Sequence, residues 1–193
     1  VMSKLLLTPE NQLQRLNHLL HAVETLKEKD TTTLNHRPHE NAWNVLEVLE
    51  HLSIAYAMYD KKIETALSQL RTSHEEPWVF RPRFWNRFVI EGQRPKGNKR
   101  PFKMKTLKKF EPQLEKTFTQ AAVENVFEKF QKSYSKLKAS ILVSRNKEMN
   151  HKRITSAIGP IVKFHLPEAF EFLICHAERH KIQIDEILSS HKG

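Results

Sequence analysis

Apolar positions in this chain recur mostly every three or four residues, the spacing that gathers side chains on one helix face. Leu13, Leu16, Leu20, Val23 and Leu26 predict a first helix over about 9–28, with Thr8 as cap and Pro9 at its first position. Val45, Val48, Leu52, Ala55, Tyr59, Ile63, Ala66 and Leu70 predict a second over about 45–71, opened by a capping box of Asn44 and Glu47. Ala122, Val126, Phe130, Leu137 and Ile141 mark a third, over about 113–145. A linker over about 146–166 leads to a fourth, which Pro167 opens and which runs to about Ser190. Between the second and third, residues 72–112 hold five prolines and two glycines, which exclude a long helix. Only "RFWNRFVIEG" (83–92) reads there as a short amphipathic helix; the remainder is expected to be extended and solvated. No strand pattern stands out. The expected fold is all-α: a single domain over 1–193, built as a four-helix bundle with one long connection between its second and third helices.

Composition agrees. Apolar residues make up 39% and charged residues 28%, an ordinary balance for a soluble globular chain, and four glycines are few for a sheet-rich one. No apolar run approaches membrane-spanning length, and the early Leu5–Leu7 run is too short for a secretory signal. The lone Cys175 allows no intrachain disulfide, so a reducing cytoplasm is the expected setting.

Charge changes the picture in one place. The net charge is +10, and residues 81–109 carry all of the excess, with eleven Lys or Arg against Glu91. Phe80, Phe84, Trp85, Phe88, Phe102 and Phe110 interleave with those cations, as in single-strand nucleic-acid binders. No recognised nucleic-acid motif accompanies them. A solvated loop or a site for an anionic small molecule reads more simply, so no nucleic-acid or membrane partner is expected. A homodimer stays open.

The last helix carries the candidate chemistry. In "FLICHAERHKIQIDEIL" (172–188), on a wheel of about 100° per residue, His176, His180 and Gln183 fall on the apolar arc with Phe172, Leu173, Ile184 and Ile187. Glu178, Arg179, Lys181, Asp185 and Glu186 are assigned to the opposite, charged side. Histidines at i and i+4 can converge on one metal ion, or they can be satisfied core residues. With eleven histidines in the chain, one such pair is a weak signal. On the second helix, His51 lies at the edge of the apolar stripe, about 80° from its centre, and the wheel alone does not single it out.

"AWNVLEVLEHL" (42–52) and "CHAERHKIQ" (175–183) together resemble the second-helix and last-helix signatures of the DinB-like (YfiT-like) superfamily of metalloproteins. Trp43, Leu46, Leu49, His51, His176, His180 and Gln183 carry the resemblance. It covers mainly 40–70 and 167–190, and the basic connection matches only loosely. The resemblance implies a four-helix bundle whose divalent metal, usually nickel or zinc, is held by three histidines. His51, His176 and His180 match those positions, and Gln183 matches a nearby polar residue that orients a histidine or a water. Glu47, one turn before His51, is a second supporting candidate, although helix capping accounts for it more readily.

Three neutral imidazoles leave such an ion its full charge and open positions, which acidify a thiol or a water. Some members of the superfamily are metal-dependent thiol S-transferases. The functional expectation is therefore a metal-dependent transferase acting with a low-molecular-weight thiol. A non-catalytic metal-binding scaffold and a basic nucleic-acid-associated protein are the alternatives. No acid/base pair stands out, which weighs against a hydrolase. Cys175 is expected to pack between helices and His18, His21, His36 and His39 to be solvated or capping; His165, just before the last helix, is close enough to line the mouth of the site but is not chosen as a site residue.

Overall fold

Thr8 and Pro9 start the first helix as the sequence predicts. Thr8 Oγ1 accepts from Asn11 N–H, and α1 runs over Pro9–Glu24 before tightening into a 3-10 turn over Thr25–Glu28. A short helix, α2 (Thr31–Asn35), follows, capped by Asp30. Helix α3 (Val45–Gln69) opens on the expected capping box, with Asn44 and Glu47 each bonding the other's backbone N–H. Then come α4 (Phe84–Gln93), a 3-10 turn over Lys108–Phe110, α5 (Gln120–Ser144), two strands, β1 (Arg153–Thr155) and β2 (Lys163–His165), and α6 (Leu166–Ser190). This is a computed structural model, and it describes residues 5–74, 77–102, 105–114 and 119–191.

The four long helices form the bundle. Each of α1 and α3 packs against both α5 and α6, so α3 and α6 are neighbours along their length. His51 meets His176 and His180, while Tyr59, two turns further along α3, meets Phe172. The two helices therefore run antiparallel. The predicted stripe of α3, from Val45 to Leu70, is buried throughout, and so is the inner row of α5 from Val126 to Ile141.

Helix α6 departs from an ordinary amphipathic helix. Its first ten residues, Leu166 to Cys175, are all buried, Glu168 and Glu171 included. A buried carboxylate must be paired. Glu171 receives Arg15 at 2.6 Å and Arg94 at 2.7 Å. Glu168 accepts the backbone N–H of Arg83 and of His165 and the Asn86 amide. Both carboxyl groups sit below the usual range although burial itself pushes them up, because these donors and cations outweigh it. The same contacts tie α1 and α4 to α6.

Three sequence expectations change. The third long helix begins at Gln120, capped by Thr119, and not near 113; residues 115–118 of the expected span lie outside the described residues. The linker before α6 contains an antiparallel pair, with Arg153 opposite His165 and Thr155 opposite Lys163. The basic connection is folded onto the bundle more than a solvated loop would be. Phe80 and Phe110 are buried, Arg94 and Arg100 pair with Glu171 and Glu186, and Lys109 bonds the Ala157 carbonyl. Phe84, Trp85 and Phe88 of α4 do remain exposed.

Candidate metal centre

His51 stands in the second turn of α3, and His176 and His180 stand one turn apart on α6. The antiparallel packing brings all three to one place. Each offers a ring nitrogen, and these atoms lie within 4.8 Å of one another. Nε2 of His51 is 3.2 Å from Nε2 of His176. Two ligands with bonds of about 2.0–2.1 Å at a tetrahedral ion sit roughly 3.3 Å apart, so the spacing suits a transition metal.

The outward ring nitrogens are set by their partners. His51 Nδ1 lies 2.7 Å from the Phe110 carbonyl oxygen, which can only accept. The proton therefore sits on Nδ1 and leaves the Nε2 lone pair facing the cluster. His180 Nδ1 lies 2.8 Å from Gln183 Oε1, with the same consequence. This is the arrangement that orients metal-ligating imidazoles. His176 has no such partner: its Nδ1 is buried with no hydrogen bond among the described residues, and its ring stacks on Phe172. Trp43 closes another side, with ring centroids 5.0 Å from His51 and 6.4 Å from His180.

The electrostatics keep the cluster neutral. Burial pushes the pKa of each histidine down, His176 to about 3 and His180 well below its ordinary value. Mutual repulsion adds to this for His176 and His180, and the Gln183 contact only partly opposes it for His180. Neutral imidazole is the form that binds metal. With a cation between them, the three lone pairs gain a partner that no described side chain supplies. The residues fit a divalent transition-metal ion.

The cluster lines a cavity of about 750 Å³. Its walls come from α3 and the loop before it, from α6 between Phe172 and Ile187, from the stretch leading to Phe110 and from the loop carrying Ile158. An ion held there stays accessible to a small molecule.

Other predicted residues fall as follows. Gln183 joins the site. Glu47 does not reach it: its oxygens are taken by Arg37, at 2.7 and 2.8 Å, and by Asn44 N–H, so capping is its role. Cys175 is fully buried, and burial followed by the Glu171 charge pushes its thiol up to about 12. It packs between helices, as expected, and does not line the cavity. His165 packs on Phe80 and bonds Glu168, away from the cavity mouth. His39, expected to be solvated or capping, lines the cavity while remaining exposed.

Arg179 is the main correction. Assigned to the charged side, it is 5% exposed and lines the cavity beside His176 and His180. Its wheel angle, about 340°, lies only about 20° outside the edge of the apolar arc at Phe172. Arg100, Lys105 and Glu186 also line the cavity, and Arg100 and Glu186 pair with each other.

No protein-family model matches the sequence, and no curated protein matches it. Among solved structures the chain is similar to YfiT from Bacillus subtilis, described as a probable metal-dependent hydrolase with an unusual four-helix bundle topology. The TM-score is 0.57 at 14% identity, over 95% of this chain and 87% of that one. The chain has that four-helix-bundle fold.

Proposed function

We propose that this chain is a metal-dependent enzyme that holds one divalent transition-metal ion, nickel or zinc, on His51, His176 and His180 and joins a low-molecular-weight thiol to a small electrophile. The observation that carries the reading is the convergence of these three imidazoles, two of them oriented by acceptors at Nδ1, on an open cavity. When bound, such an ion supplies Lewis-acid chemistry: it lowers the pKa of a thiol or a water that reaches it. Phe110 and Gln183 hold two rings in place through their Nδ1 protons. Trp43 and Phe172 pack against the imidazoles and limit the water around them.

A thiol fits better than water for one reason. Glu186 is the single carboxylate among the described lining residues, and Arg100 engages it. No free carboxylate stands by to take a proton from an attacking water. A thiol, far more acidic, needs less help. Hydrolysis remains the second reading, favoured by the description of the structural neighbour.

The test is direct. The protein, loaded in turn with nickel and zinc, is given a small thiol and a chlorodinitrobenzene, where S–C bond formation releases chloride. Parallel samples receive a nitrophenyl ester without thiol. Metal-dependent conjugation that disappears in His51→Ala supports the thiol reading. Ester cleavage without conjugation would replace it with hydrolysis, and neither activity would leave a non-catalytic metal-binding bundle.

A further inference from the structure

Arg179 presents a problem that the metal centre does not solve. Its guanidinium is buried, and its Nη1 has no hydrogen-bond partner among the described residues. Other half-buried arginines of the bundle are matched: Arg15 binds Glu171 and Glu178, and Arg94 binds Glu91 and Glu171. A buried, unmatched guanidinium costs stability, and folds rarely retain one without a use. Glu186, which could serve it, is bonded to Arg100 instead.

Its position suggests the use. Arg179 lies three residues after His176 and next to His180, on the stretch of α6 that lines the cavity. Lys105 adds positive charge to the same cavity, where Arg100 is paired with Glu186. Trp43, Leu107, Phe172 and Ile187 give the same cavity apolar wall. A guanidinium presents a planar fork of donors that matches a carboxylate or phosphate.

We propose that Arg179 anchors an oxyanion of the substrate, so that the cavity takes a small organic acid or phosphate ester whose apolar body lies along Trp43 and Phe172, beside the three histidines. This deepens the functional reading and rests on it insofar as the cavity is taken as the place of reaction. The oxyanion completes the unmatched donor set of Arg179, and the adjacent imidazoles then face the part of the molecule that reacts. Arg179 binds and positions; it is not assigned a proton transfer.

The experiment compares three probes of one shape, benzoate, phenylphosphate and neutral benzamide, by titration calorimetry. Wild type, Arg179→Met, Arg179→Lys and His180→Ala are each measured as purified and after metal removal, with metal content determined alongside. Wild type is expected to bind at least one anion about ten-fold more tightly than benzamide, with or without metal. Whichever anion binds tighter identifies the natural head group. Arg179→Met is expected to bring that anion to the benzamide level and leave benzamide binding and metal content unchanged. Arg179→Lys is expected to keep part of the preference. His180→Ala is expected to lose metal and keep the preference, which separates this inference from the metal reading. An unmoved preference in Arg179→Met would overturn the proposal, as would a preference that follows the metal, or wild type that binds benzamide as well as the anions. Loss of a buried unmatched charge should leave Arg179→Met at least as heat-stable as wild type, so a melting curve confirms that it folds.

Discussion

At the residue scale, the histidine cluster couples stability to pH in a definite direction. Each imidazole has a folded pKa below its ordinary value of 6.5. Above that value both folded and unfolded chains are neutral there, and the cluster adds no pH dependence. Below it, the unfolded chain takes up protons that the folded chain refuses, and stability falls. The metal-free protein should lose about 1.4 kcal/mol per pH unit for each imidazole that stays neutral, starting below about pH 6.5. Denaturant titrations at several pH values should show a shallower fall in His176→Leu; an identical slope would mean that the buried ring contributes nothing. Gln183 gives a second prediction. Gln183→Leu frees the His180 ring, and metal affinity should drop about 10- to 100-fold with the helix content unchanged, measured by competition with a chromophoric chelator. His176, His180 and Gln183 were legible because their spacing alone places them on one arc. His51 was not: its wheel position is marginal, and only the surrounding motif pointed to it. Arg179 was misread because its charge was weighed above its angle.

At the element scale, buried carboxylates fasten neighbouring helices to α6. Glu171 holds Arg15 of α1 and Arg94, just after α4. Glu171→Ala leaves both guanidiniums without that partner and should cost about 3 kcal/mol by chemical denaturation. Glu171→Gln should recover part of the loss. Asn44→Ala should cost about 1 kcal/mol by removing the cap of α3. Long helices were readable because their stripes persist over many turns and their caps carry the right side chains. Strands of three residues offer no period to read, and "TTTLN" in α2 offers no stripe. The buried start of α6 hid its role too. No local pattern marks Glu171 as buried, because its partners Arg15 and Arg94 lie far away in sequence.

At the scale of the whole molecule, the bundle supplies the three histidines and the basic connection supplies part of the cavity wall. Phe110 is 59 residues from His51, and its carbonyl sets the tautomer of that ring. No local pattern announces such a contact, which is why the connection read as a solvated loop. The same packing turns Arg100, Lys105 and Leu107 toward the cavity. Among the described residues no helix is long and apolar enough to cross a membrane. Binding an ion only in the folded state should raise the melting temperature with metal concentration, and chelation should reverse it.

Elemental analysis of purified wild type and of His51→Ala, His176→Ala and His180→Ala, each dialysed against nickel or zinc and then against metal-free buffer, bears most directly on the account. It predicts about one retained ion per wild-type chain and markedly less in every variant, with folding preserved. Wild type that retains no transition metal, or three variants that retain it undiminished, would contradict it.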